Sequence, residues 1–231
     1  DTREPADFQE TVREAFPRYQ CQVETIPGVN GAPNRTINNH TFLSEDGGYK
    51  LSLTKDFIAL STMRYTNWED FAARLDEPLG QFIKIYRPNC FDRVGLRFVN
   101  AFSREQLGLA GRRWNDLLQP PYLGVLDEDE IDEESVVKCS VDVERKLDVL
   151  AALKLHAGPG FVQRNIRNGN RVQQVQEKEV RFIFDQDVYS TGKVKVAAVA
   201  ETLNALHAYS DSVFSDAITT VLHDAMEPEY L

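Results

Sequence analysis

Two aspartates and a histidine toward the end of the chain are the first residues whose types invite chemistry. Asp185 and Asp187 stand two apart in FIFDQDVY, and His207 follows in LNALHAYSD. Read as a strand, the first segment sets both carboxylates on one face, about 7 Å apart along it. Two carboxylates and an imidazole are the ingredients of a divalent-metal or general acid/base centre, here of phosphoryl-transfer or hydrolytic type. No nucleophile motif or phosphate-cradling glycine loop accompanies them, and D-x-D pairs also close ordinary strands where acids meet water. His207 has Asp211 four residues on, and such a helical pair is ordinarily a local hydrogen bond.

The second group lies in FDRVGLRFVNAF, residues 91 to 102. Val94, Leu96, Phe98 and Phe102 alternate, as a half-buried strand requires, with Asn100 in the same row and Arg93 and Arg97 behind it. One reading is a small-anion site built from Arg93, Arg97 and Asn100. The other is a structural network in which Arg97 forms a forked pair with Asp185 or Asp187, a geometry that guanidinium offers and lysine does not. The structural network carries more weight, because paired charges usually hold structure together. His40, His156 and His223 lack H-x3-H or H-E-x2-H spacing, so neither a metal nor a cofactor is expected.

The elements that would position these groups follow from the apolar spacing. Phe8, Val12 and Phe16 mark a short helix stopped by Pro17. IPGVNGAPNRTINN reads as an irregular loop. Three short strands are expected next: His40 to Ser44, the Tyr49–Leu51–Leu53 run after the DGG turn, and Phe57 to Met63. Trp68, Phe71, Leu75, Leu79, Phe82, Ile83 and Tyr86 follow the 3.6 period of a long helix. Thr66 and Glu69 are placed to cap it, Pro78 to kink it and Pro88 to end it. After a proline-rich stretch comes DEDEIDEE, residues 127 to 134, expected to be a self-repelling solvated loop. The remainder reads as a strand around Val137 to Val143, a partner from Val149 to Leu155 interrupted at HAGPGF, and a strand in EVRFIFDQDVY. A final long helix carries Val199, Leu203, Leu206, Ser210, Val213, Ala217 or Ile218, and Val221, preceded by Gly192 and ended by Pro228. The expectation is an α+β fold, two long amphipathic helices on antiparallel sheet. It divides into halves at 1–125 and 135–231, with the acidic loop at 126–134 between them, and the order of elements hints at a pseudo-repeat.

Composition sets the outer limits. The 231 residues are 42% hydrophobic, enough for a substantial core, and no apolar run reaches the length of a membrane span. Cys21, Cys90 and Cys139 are sparse and lack C-x-x-C spacing, so no disulfide framework is expected and the reducing cytoplasm is the default. The N-x-T sequons at Asn34 and Asn39 are short enough to arise by chance, and no secretory signal opens the chain. The formal charge of −10 disfavours general nucleic-acid binding, although a local basic groove is compatible with it.

Four stretches in order carry a family resemblance: Tyr65, Trp68 and Phe71 as Y-x-x-W-x-x-F, then GLRFVN, the D-x-D of Asp185 and Asp187, and an H-x6-F-x3-IT pattern from His207. Together they resemble a sporadically distributed bacterial protein family without an assigned activity, over roughly Phe42 to the C-terminus. The resemblance implies no catalytic residues. It implies an apolar strand ahead of the first helix, which this chain, opening on Asp1, does not carry. An exposed sheet edge, and with it a protein partner or homo-oligomer, is expected in consequence. The leading functional expectation is a non-enzymatic interaction or regulatory module, in keeping with the patchy distribution of accessory and defence-associated proteins. The metal-dependent enzyme and the anion binder are the alternatives.

Overall fold

The computed structural model describes residues 5–26, 34–168 and 171–226. The chain forms two compact units, residues 1–89 and 90–231. The division falls at Asn89, not in the acidic run. The reason is pairing: the strand holding Arg97 hydrogen-bonds to the strand holding Asp185 and Asp187, and so belongs with the C-terminal part.

The first unit begins with helix α1 (Ala6–Val12). Four antiparallel strands follow in chain order: β1 (Arg18–Ile26), β2 (Arg35–Leu43), β3 (Tyr49–Leu53) and β4 (Ile58–Thr62). Most of the expected irregular loop lies at 27–33, outside the described residues; what flanks it is strand. Strand β1 escaped the pattern because its polar residues leave little apolar alternation: Cys21, Gln22 and Val23 are all exposed. Helix α2 (Trp68–Tyr86) closes the unit, with Pro78 inside it. Its cap is Asn67 and not Thr66: the Asn67 side chain accepts from the Asp70 amide at 2.8 Å, satisfying one of the free donors of the first turn. Arg87 ends it in the left-handed conformation. Phe8, Val12, Phe16, Phe42, Tyr49, Leu51 and Leu53 form the core, with the Phe8 ring edge-on to Phe42 and Phe82.

The second unit starts with β5 (Cys90–Phe91) and β6 (Gly95–Phe102), then the short helix α3 (Trp114–Leu117). Three further strands follow: β7 (Val141–Lys146), β8 (Ala151–Asn168) and β9 (Arg171–Ser190). The antiparallel sheet runs β6-β9-β8-β7. Strand β10 (Val194–Lys195) pairs with β5. Helix α4 (Val199–Ala217) lies against β6 and β9, burying Leu206, Val213 and Ala217. The expected single final helix is broken: Ile218 is extended and bridges to Leu118, and Thr219 caps a separate helix α5 (Thr220–Ala225). Pro228 lies outside the described residues.

HAGPGF does not interrupt β8. Its glycines and proline sit where β7 has already ended, at Ala157, so Pro159 removes no ladder hydrogen bond on that side. Gly158 is required by crowding, since a Cβ there would lie 2.5 Å from the Cys139 carbonyl oxygen. The fold is α+β, each unit holding a four-stranded antiparallel sheet and one 19-residue helix. The resemblance between the units stops at topology: the first sheet is a plain meander, whereas in the second the earliest long strand returns beside the last.

The acidic run is stapled and not simply solvated. Arg113 donates to the backbone carbonyls of Glu128 and Ile131 at 3.1 and 3.0 Å. Glu133 accepts from the Trp114 amide at 2.5 Å and from Arg104 at 2.9 Å, and the Arg104 guanidinium stacks 4.2 Å over the Trp114 ring. Nearby guanidiniums offset the repulsion among the acids, so the segment is held against Arg104, Arg113 and Trp114 within the second unit.

Candidate functional site: the polar face of the second sheet

Alternation along β9 sorts its residues cleanly. Phe182, Phe184, Gln186 and Val188 are buried toward α4, and Asp185, Asp187 and Tyr189 face the other way. The register then lines up polar residues across all four strands. Arg97, Asp187, Lys154 and Glu144 stand opposite one another in one row, and Val99, Asp185, His156 and Asp142 in the next.

Side chains link diagonally within this array. Arg97 donates from Nε and Nη2 to Asp185 at 2.8 and 2.5 Å, and Arg93 donates to both oxygens of Asp187 at 2.7 and 2.6 Å. The Arg93 guanidinium also lies 4.5 Å over the Tyr189 ring. Tyr189 donates to Glu144 at 2.7 Å, and Lys154 is 3.5 Å from the same carboxylate. His156 Nδ1 is 2.8 Å from Asp142. The hydrogen bonds that Arg97 donates to Asp185 hold its guanidinium above its ordinary pKa. His156, then Ser140, hold the Asp142 carboxyl below the usual carboxylate value. Arg97, Asp142, Glu144, Lys154, His156, Asp185 and Asp187 line an open depression on the face.

The structure therefore unites the arginines with the aspartates and separates both from the other predicted partners. His207 is on α4, its ring 6.2 Å from Phe98 on the opposite side of the sheet, so Asp185, Asp187 and His207 do not form one centre. The sheet divides them because strand residues 98 and 97 point to opposite faces. Asn100 shares the half-buried row of Phe98 and Phe102 and cannot join Arg93 and Arg97, for the same reason. Among the described residues no group of three or more His, Cys, Asp or Glu side chains is placed to hold a metal.

Sequence reasoning missed Asp142, Glu144, Lys154 and His156 as neighbours of this array. The signal was present in the alternation of Lys154 and His156 with Leu153, Leu155 and Ala157, but ending the strand at Leu155 left His156 out.

Beyond this face the β8–β9 hairpin continues as an arm. Strand β7 ends opposite Ala157 and β6 ends opposite Phe182. After a register shift between Phe161 and Gln163, six further pairs run from Gln163↔Gln176 to Asn168↔Arg171. Among the described residues no strand flanks these pairs on either edge. At the root, Phe161 and Val180 pair in register and are both exposed.

No family model, no curated protein and no solved structure matches the chain. No helix among the described residues is long and apolar enough to cross a membrane.

Proposed function

We propose that the protein is a non-enzymatic interaction or regulatory module whose working part is the β8–β9 arm. The observation that carries this reading is the six-pair ribbon standing clear of β6 and β7. Two strands without a third are marginal in water, and strand edges of this kind are stabilised when a partner pairs with them. The polar face supports the same reading. Arg93, Arg97, Lys154 and His156 each lie within ion-pair distance of a carboxylate, which consumes the groups that acid/base or anion chemistry would need free. The motif resemblance to a sporadically distributed bacterial family agrees with an accessory role. The three unpaired cysteines agree with a cytoplasmic setting.

A thermal-shift panel of divalent cations and nucleotides tests the reading. A module of this kind shows no cation-dependent stabilisation. Stabilisation by a divalent cation that disappears in Asp187→Asn replaces the module with the metal-dependent phosphoryl-transfer or hydrolytic reading.

A further inference from the structure

We infer that strand β4 is a self-pairing edge: two copies of the chain join antiparallel along it, about a two-fold axis at Leu60. This interface lies in the first unit and does not depend on the β8–β9 arm.

Strand β4 ends the first sheet, and among the described residues no strand pairs with it on its far side. The ladder shows which backbone groups are left over. On the β2 side the Ser44 amide donates to the Tyr49 carbonyl at 3.0 Å, so Lys50 and Ser52 turn their backbone groups the other way, toward Ser61 and Ala59 of β4. The Thr54 amide donates to the Phe57 carbonyl at 2.9 Å, which fixes the same alternation from β4 itself. The amides and carbonyls of Ile58, Leu60 and Thr62 therefore point away from β3, into the open edge.

Sheet edges are ordinarily blunted by charge, proline or a bulge. Strand β7, an edge of the second sheet, holds Asp142, Glu144, Arg145 and Lys146 within six residues. Strand β4, IALST, holds neither a charge nor a proline, and its pairing with β3 runs through five residues without a register shift. Its solvent face is built from the small side chains of Ala59 and Ser61. Phe57 and Met63 flank that face at 46% and 99% exposure.

A second copy is the strand this edge fits. The three outward residues are symmetric about Leu60, so an antiparallel match pairs Leu60 with Leu60 and Ile58 with Thr62, and every outward group is used at once. Carried past the strand ends, the same register sets Phe57 opposite Met63, an apolar pair, and Asp56 opposite Arg64, a pair of opposite charge. On the other face Ile58 and Leu60, partly buried against the core, gain cover across the axis. An unrelated peptide supplies the backbone bonds but gives no reason for these end matches. The contact is one short strand per copy, so the dimer belongs with weak, concentration-dependent associations.

Sedimentation velocity of the full chain from about 5 to about 500 µM tests the inference, and a monomer–dimer equilibrium is expected. In this register Ala59 faces Ser61 of the second copy in a pair without mutual hydrogen bonds, where side chains stand closest. The A59K/S61K and A59E/S61E variants each set like charges there and are expected to weaken the dimer at least ~10-fold. Mixing the two is expected to restore it as a heterodimer. Circular dichroism checks both folds, and Met63→Asp, at a side chain the monomer leaves exposed, is expected to weaken the dimer as well. A chain that stays monomeric throughout, as it does if the edge takes an unrelated strand, overturns the inference. So does a dimer that the charged variants retain, which belongs to another surface such as the β8–β9 arm. A mixture that associates no better than its components overturns it too.

Discussion

Arg97 stands directly opposite Asp187 in the sheet register but gives its guanidinium to Asp185, two residues away along β9. Asp187 is left to Arg93, which approaches from beyond the start of β6. Diagonal neighbours on one sheet face lie within reach of long side chains, and the result is two separate pairs, Arg97 forked onto Asp185 and Arg93 reaching both Asp187 oxygens from Nη2, in place of one crowded cluster.

The Arg97–Asp185 pair is a surface feature, and its energy is small. The Arg97 side chain is 63% exposed, so solvent and salt screen most of the attraction. A double-mutant cycle on Arg97→Ala and Asp185→Ala, read by urea unfolding, is expected to give a coupling of about 0.5 kcal/mol that shrinks with added salt. A coupling several times larger would make the pair a principal support of the sheet.

Glu133 is a different case. Its side chain is only 13% exposed and serves both the Trp114 amide and Arg104. Glu133→Ala leaves a half-buried guanidinium and a helix-start amide without this acceptor, at a cost of about 2 kcal/mol. Urea unfolding measures it; the same substitution at Glu130, in the exposed part of the run, should stay within about 0.5 kcal/mol.

Asp148 gives the fold part of its acid sensitivity. Its carboxylate accepts from the Tyr209 hydroxyl and from the amides of Leu150 and Ala151 at 2.6 and 2.7 Å. Tyr209, then the Leu150 amide, holds its pKa below the usual 3.8. A carboxyl depressed on folding stabilises the native state above its unfolded pKa, and that contribution fades as pH falls through the folded value. The melting temperature should therefore drop below about pH 4, and Asp148→Asn, which cannot titrate, should show a flatter acid limb.

Gly158→Ala forces a Cβ to within 2.5 Å of the Cys139 carbonyl oxygen and 3.1 Å of the Ser140 Cα. Both are backbone atoms, so the chain ahead of β7 must shift, at about 1–3 kcal/mol. Gly111→Ala, where nothing lies within 4 Å, should leave the melting temperature unchanged. Thermal denaturation of the two variants side by side checks the contrast.

Elements whose burial is one-sided were legible in the sequence. Phe8, Val12 and Phe16 are all buried as their spacing required, and the α2 stripe and the β6 row appear where alternation placed them. The Arg97–aspartate pair was legible in part: parity puts Asp185 and Asp187 on one face of their strand and Arg97 on the polar face of its own, while the pairing of the two strands and the choice of Asp185 over Asp187 come from the register. What failed was local chemistry overridden by neighbours. Glycine and proline in HAGPGF mark a turn in isolation, but here they relieve crowding where β8 outruns β7. The acidic run reads as repulsive until Arg104 and Arg113, some twenty residues earlier, are folded onto it. His207 failed for a third reason: nothing in a one-dimensional pattern says which side of a sheet a later helix will cover.

The strand order β6-β9-β8-β7 also fixes a sequence of events in folding. The β7–β8 and β8–β9 ladders join neighbours in the chain, whereas Arg97 must find Asp185 across 88 residues. Closing that loop costs entropy before any contact returns it, so nearest-neighbour hairpins precede distant closures. The three-stranded meander is therefore expected to form early, and β6 to dock onto its edge late. Amides of β6 should accordingly gain protection from exchange after those of β8 and β9 in a refolding experiment.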